Sequence, residues 1–348
     1  MSQSLGAELD WAALANWMRS RGIGDGEVAD IEPIGGGTQN LMFALSSGGS
    51  RFVVRRGPKH LRPHTNDALR REIRVLDALA ESAVPLPTLV AAENDESVWG
   101  SVFYLMRPVD GFNATVALPE LHAASLDVRH RMGFCAVDAL AALGAIDPSD
   151  VGLGDLGHPD GFRDRQVPQW LTALDKYVEF DGYAGHQLPA VDALAEWLTA
   201  NQPTAFRAGI MHGDFHLANL MFRNDGPQVA AIVDWEMCTV GDPLLDLGWL
   251  LATWPEGDRT PAAADVLRQA GGLPTRSELV EYYGTVAARP VDDALWYAVM
   301  ASFKLAIVLE GTHARACAGK APAAVGDLLH SMAVGLLSQA SHFTEKGF

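Results

Sequence analysis

Apolar positions near the start of the chain recur at helical spacing. Trp11, Leu14, Ala15 and Met18 follow an i, i+3, i+4, i+7 pattern, which predicts an amphipathic helix that Gly22 ends. The period then changes to two. Leu41, Phe43 and Leu45 alternate with other residues and predict a half-buried strand. Ser47-Gly48-Gly49-Ser50 predicts a hairpin turn, with Phe52-Val53-Val54-Arg55 as the returning strand. Helical spacing resumes over 67–81 through Leu69, Ile73, Leu76 and Ala80, with Glu72 near the start. Pro85 and Pro87 break the chain, and Val102–Met106 predicts a further strand. Arg107-Pro108-Val109-Asp110-Gly111 leaves that strand through a turn, a candidate lobe boundary.

Composition narrows the field. The chain has 348 residues, 48% hydrophobic and 20% charged, enough for one large domain or two joined lobes. Its 26 Lys and Arg against 43 Asp and Glu give a net charge of −17. That balance argues against a general nucleic-acid binder and against adsorption to anionic lipid. Three scattered cysteines are too few for a disulfide framework or a zinc site, and fit a reducing cytoplasm. The N-terminus shows no secretory signal, and no membrane span is expected, because Lys304 breaks the best apolar stretch, around 298–309.

Two local features bear on ligands. Ile34-Gly35-Gly36-Gly37-Thr38-Gln39-Asn40 is glycine-rich and precedes the alternating strand. Glycines let backbone N–H groups approach a phosphate, although for the string taken alone a plain hairpin turn is the favoured reading. Because the loop joins antiparallel strands, a dinucleotide-binding loop between strand and helix is disfavoured. From Arg51 to Arg74 the chain carries eight basic and two acidic residues, either a solvated face or a local site for anions.

The chemistry concentrates later. His212-Gly213-Asp214-Phe215-His216-Leu217-Ala218-Asn219 precedes an apolar run, and Ala231-Ile232-Val233-Asp234 follows. Short strands around a tight turn would bring Asp214, Asn219 and Asp234 near one point. Phosphoryl transfer needs this set: one carboxylate to orient a hydroxyl and take its proton, and hard oxygens to hold Mg²⁺. HxDxxxxN followed by an Asp at the end of an apolar strand is a specific kinase spacing.

On these stretches the chain resembles the aminoglycoside phosphotransferase family, and within it the branch found as the kinase-like domain of some acyl-CoA dehydrogenases. The matching segments are GGGTQN, FVVRRGP, RREIRVLDAL, VPLP, ENDESVWGSVFYLMRPVDG, HGDFHLANLMF and IVDWEMCTVGDPLLDLGWLLATW. The resemblance implies an α+β, bilobal, protein-kinase-like fold. An N-terminal antiparallel-sheet lobe would span 1–108 and a larger, mainly helical lobe 109–348.

It implies ATP and Mg²⁺ as cofactors and a small-molecule hydroxyl as acceptor. Asp214 resembles the catalytic base, and Asn219 and Asp234 the metal ligands. Gly35, Gly36, Gly37, Thr38 and Asn40 resemble the loop over the phosphates. Glu72 resembles the helix carboxylate that positions the basic residue of the third strand, Arg55, where a lysine is usual in kinases; the named branch typically has arginine. Met106 resembles the gatekeeper, and the backbone of Arg107 and Val109 the adenine-binding hinge. His216 stands where protein kinases carry lysine; it either donates to the γ-phosphate or serves as a structural loop histidine.

His212 is expected to brace its loop, Asp242 and Asp246 to cap or brace a helix start, and Trp235, Trp249 and Cys238 to be core. The acceptor stays open among a hydroxyacyl-CoA, an aminoglycoside and other hydroxyl compounds. Aminoglycosides are cations and suit an acidic pocket, whereas a hydroxyacyl-CoA needs a basic patch, such as segment 51–74. A catalytically silent nucleotide-binding module is the alternative from another class. No APE-ended activation segment follows Asp234, which disfavours a protein kinase.

Overall fold

The structure, a computed structural model, describes residues 9–35, 40–58, 64–257, 265–287 and 289–348. Its contacts divide the chain into two units. The first comprises Met1–Asp110 with Val233–Glu236, the second Gly111–Ile232 with Met237–Phe348.

In the first unit, α1 (Trp11–Ser20) begins where the Asp10 side chain accepts a hydrogen bond from the Ala13 N–H. Strands β1 (Ala29–Pro33), β2 (Leu41–Ser47), β3 (Ser50–Arg56), β4 (Leu89–Glu93) and β5 (Phe103–Met106) form an antiparallel sheet in the order β1-β2-β3-β5-β4. The β2–β3 turn holds Gly48 and Gly49 at φ 56° and 73°, as a two-residue hairpin turn requires. A Cβ at Gly48 would also lie 2.8 Å from the Asp25 backbone nitrogen.

The core joins Leu14, Trp17 and Met18 to Phe43, Leu45, Phe52, Val54 and Phe103. Trp17 takes the deep position on α1, where the spacing had pointed to Ala15. Its indole N–H finds a partner in Glu93 Oε2 at 2.8 Å, so the large ring can be buried without an unpaired donor. Helix α2 (Thr65–Ala78) buries Leu69, Ile73 and Leu76. It ends two residues before Ala80, which is exposed, because beyond Ala78 the helical period no longer applies; Leu79 turns inward instead.

The second unit is mainly helical: α3 (Glu120–Ala124), α4 (Leu126–Gly144), α5 (Phe162–Asp175), α6 (Val191–Ala200), α7 (Leu244–Thr253), α8 (Asp265–Ala270), α9 (Arg276–Val286), α10 (Ala294–Cys317) and α11 (Ala323–Lys346). Short strands β6 (Phe112–Asn113), β8 (Leu220–Phe222) and β9 (Val229–Ile232) pair antiparallel, as do β7 (Gly209–Met211) and β10 (Thr239–Gly241). Helix α10 packs on α7 and along α11. By length and composition α10 is apolar enough to cross a membrane, a property the interrupted sequence run had not suggested. Of its most apolar window, 78% is buried inside the protein, as in a core helix. Trp235, Trp249 and Cys238 are buried.

Candidate active site

Strand β7 delivers the chain into the HGDFHLAN loop. Gly213 sits at φ 86°, and a Cβ there would collide with the Met237 carbonyl, so only glycine fits. The loop hangs from Asp246 on α7. Asp246 Oδ2 accepts the His212 N–H at 2.6 Å, and Oδ1 accepts the Gly213 N–H at 2.9 Å. This corrects the expected role: Asp246 braces the loop, not the start of its own helix. Asp242 does meet the helix start, accepting from Leu244 N at 3.1 Å and from the Tyr297 hydroxyl at 2.5 Å. His212 is fully buried, and its Nδ1 accepts the Asp214 N–H at 3.3 Å.

Asp214 is thereby held in a fixed frame. The Asn219 amide donates to its backbone carbonyl at 2.9 Å and to its Oδ2 at 3.0 Å. His216 Nε2 lies 3.3 Å from the other carboxylate oxygen. His216 Nδ1 accepts the Ala218 N–H at 3.2 Å, which places a ring proton on Nε2, facing Asp214. Burial alone would raise the Asp214 carboxyl. The hydrogen bond from His216 and its electrostatic pull, then His212 and Asn219, outweigh it and bring the group down to about 2.

Beneath the loop, burial pushes Asp246 up to about 7, against the two backbone N–H groups and the charge of Lys304. Lys304 is itself buried, with its ammonium 4.7 Å from the Trp249 ring centre and 5.5 Å from that of Trp170. Burial lowers its pKa, and the charges of Asp246 and Asp214 oppose that shift.

The sign of the resulting pH dependence follows. A carboxyl that binds its proton more tightly folded than unfolded gives stability present below the unfolded value of 3.8 and lost as pH rises toward about 7. Replacing Lys304 by Met removes a charge that favours the carboxylate. Urea midpoints should therefore keep falling beyond pH 7 in Lys304→Met, while Asp246→Asn should flatten the slope.

In the first unit, Arg55 on β3 stands in register with Met42 and Tyr104. Its Nε lies 3.1 Å from Glu72 Oε2, at an angle that makes an ion pair but not a hydrogen bond. Its Nη2 donates to Asp234 Oδ1 at 2.8 Å and lies 4.0 Å from Glu236 Oε2. Burial works against the Arg55 charge, but Glu72, Tyr104 and Asp234 more than compensate and raise its pKa. Burial pushes the Glu72 carboxyl up, against the pull of Arg55, the Trp235 N–H and the Tyr104 hydroxyl. Asp234 is in the left-handed region at φ 67°, which Asp tolerates better than most residues.

Met106 ends β5, buried, beside Val53 and Leu89 in register. The Arg107 N–H donates to Thr88 O at 2.9 Å, and Val109 follows, half-buried. Among the described residues, nothing lies within 4 Å of the Cβ position of Gly35, and Asn40 Oδ1 is buried with no hydrogen-bond partner. Gly36, Gly37 and Thr38 lie outside the described residues.

Two constellations result, Asp214–His216–Asn219 in the second unit and Arg55–Glu72–Asp234 in the first. Tyr104, Glu236 and Lys304 join them without having been singled out. Tyr104 reads as core within an apolar strand. Lys304 had appeared only as an interruption of an apolar run, and a lysine inside such a run was the one signal it gave.

An antiparallel sheet with its helix, a larger helical unit and an HxDxxxxN loop define a phosphotransferase of the protein-kinase-like α+β class. The chain belongs to the phosphotransferase enzyme family, which matches residues 30–282. It is similar to acyl-CoA dehydrogenase family member 11 of Gallus gallus, 30% identical over 296 residues, covering 82% of this chain and 37% of that protein. Acyl-CoA dehydrogenase family member 10 of Mus musculus is 27% identical over 309 residues, 85% of this chain and 28% of that protein. The chain thus spans about a third of the length of these relatives.

A Ralstonia eutropha structure, provisionally described as an aminoglycoside phosphotransferase, is 30% identical with a TM-score of 0.77, covering 96% of this chain and 99% of that one. A thermostable aminoglycoside phosphotransferase mutant, in ternary complex with ADP and hygromycin B, shares the fold at 16% identity and a TM-score of 0.55. That match covers 92% of this chain and 97% of that one.

Proposed function

We propose that the protein transfers the γ-phosphoryl group of ATP, with Mg²⁺, to a hydroxyl of a small molecule, and that this molecule is a hydroxyacyl-CoA. The observation that carries the catalytic reading is Asp214, an ionised carboxylate fixed by Asn219 and His216. A carboxylate with a pKa of about 2 is a weak base. It suits a reaction in which it orients the hydroxyl and takes the proton late, as the new P–O bond forms and the β–γ bond breaks.

The donor chemistry fits Mg²⁺. Asn219 spends its amide nitrogen on Asp214, which leaves its carbonyl oxygen as the donor, and Asp234 presents a partly exposed carboxylate. Each is a hard oxygen of the kind this ion takes beside phosphates and waters. Bound Mg²⁺ would neutralise phosphate charge. Arg55, kept charged by its carboxylate neighbours, would supply a forked donor to phosphate oxygens. With the Arg107 N–H already given to Thr88, the Arg107 carbonyl is the group suited to accept from adenine.

The acyl-CoA reading is supported by the relatives, whose names join an acyl-CoA dehydrogenase to a segment like this chain. An aminoglycoside acceptor is the second reading, favoured by the description of the Ralstonia structure. The test is ADP release with Mg²⁺-ATP across hydroxyacyl-CoAs, aminoglycosides, sugars and amino alcohols. Release stimulated by hydroxyacyl-CoAs and abolished by EDTA is the expected result. Stimulation by aminoglycosides alone would reassign the acceptor. ATP binding without stimulation by any acceptor would favour a silent module.

A further inference from the structure

The second unit holds a cluster that phosphoryl transfer does not use. Glu310, His313 and Cys317 occupy one face of α10, and His330 comes from α11, which packs along it. A carboxylate oxygen of Glu310 and one ring nitrogen from each histidine lie within 4.8 Å of one another. Glu310 is fully buried. Its Oε1 accepts from the Tyr183 hydroxyl at 2.6 Å, and its Oε2 is 2.7 Å from His330 Nδ1. The two imidazole rings are 4.7 Å apart and tilted by 34°.

His313 is the informative member. Its Nε2 is 3.7 Å from Cys317 Sγ. Its Nδ1 is buried and has no hydrogen-bond partner among the described residues, with Asp327 Oδ1 at 3.8 Å. With the proton on Nε2 toward the sulfur, Nδ1 carries a buried, unsatisfied lone pair, an arrangement that costs free energy unless something binds it. A carboxylate and two imidazoles are the donor set of a borderline divalent ion, zinc foremost.

We propose that Glu310, His313 and His330 bind one zinc-class divalent ion that ties α10 to α11. The ligands come from helix faces, so the scarcity of cysteines does not bear on the site. Bonds near 2.0 Å set ligand-to-ligand edges of about 3.3 Å. The Glu310–His330 pair opens from 2.7 Å, and the wider separations, up to 4.8 Å, close by side-chain rotation. His330 Nδ1 gives up its proton to solvent as it ligates. Tyr183 orients the Glu310 carboxylate from behind, Cys317 sets the His313 tautomer, and water completes the tetrahedron.

The test uses the full chain, tag-free and stripped of metal, in excess Mg²⁺ so that oxygen-only sites are filled. Calorimetric titration with Zn²⁺ and visible absorption with Co²⁺ should both report one equivalent, with tetrahedral Co²⁺ bands, and Zn²⁺ should raise Tm. His313→Gln changes a partly exposed residue, so its metal-free form should melt near the parent. His330→Gln also alters a partner of the buried Glu310 carboxylate, so each variant's Tm rise is measured against its own metal-free form. Each should weaken binding at least about tenfold, and the pair should abolish it together with the Tm rise. No binding by the parent, or binding that survives the double variant, overturns the proposal. So does binding lost in Asp214→Asn instead.

Discussion

Asp214→Asn should lower acceptor-dependent ADP release by roughly 10²–10⁴-fold, the span that a positioned acid–base group contributes. Nucleotide affinity should stay within about threefold, because the substitution leaves the phosphate-binding groups untouched. The amide is nearly isosteric with the carboxylate, so the fold is kept. What disappears is the negative charge that His216 and Asn219 surround. An amide oxygen can still accept from a hydroxyl but cannot take its proton.

A cost in stability comes with the change. The folded Asp214 carboxyl lies at about 2 against 3.8 unfolded, so its ionised form contributes stability above pH 3.8 that is lost as pH falls toward 2. With the side chain about a third exposed, that contribution is on the order of 1 kcal/mol after solvent screening. Single-turnover kinetics with a bound-nucleotide control separate the two effects. Unchanged turnover in the variant would remove Asp214 from the catalytic role. A large loss of ATP affinity would mean that it serves nucleotide binding instead.

How far the sequence alone reaches differs between the two constellations. The Asp214–Asn219 contact is local. Five residues and a short turn decide it, so the spacing of the motif carried it directly. The Arg55 cluster joins residues far apart in sequence. It was legible only through resemblance, since no periodicity links β3, α2 and Asp234. Asp246 shows the limit of local reasoning. An Asp at a helix start reads as a cap, and only the fold brings it under a loop 34 residues upstream. Tyr104 and Lys304 show another limit. A polar group inside an apolar run looks like tolerated core until its partners, Glu72 in one case and two tryptophan rings in the other, are in view. Helix periodicity located α1 and α2 but misjudged which side chains go deepest. Trp17 could turn inward because Glu93, on β4, satisfies its N–H.

Asp246→Ala should strongly destabilise the second unit. Its carboxylate is the acceptor for both the His212 and the Gly213 N–H, at 2.6 and 2.9 Å, and all three residues are buried. Alanine leaves two buried donors unpaired, each costing about 1–3 kcal/mol. It also removes the carboxylate that faces the Lys304 charge. A total of about 3–5 kcal/mol is a large fraction of an ordinary folding free energy of 5–15 kcal/mol. Asp246→Asn should cost less, about 1–3 kcal/mol, because one amide oxygen still accepts while the NH₂ faces a donor.

Activity should fall with stability in both variants, but for a separable reason. The two hydrogen bonds fix the backbone that leads into Asp214, so kcat should drop while the KM for ATP changes little in whatever fraction remains folded. Urea denaturation of both variants beside the parent, with kinetics corrected for folded fraction, tests the idea. Equal stability of Asp246→Ala and the parent would mean that other groups hold the loop. Lost stability with undiminished kcat would mean that the loop keeps its catalytic geometry without its anchor.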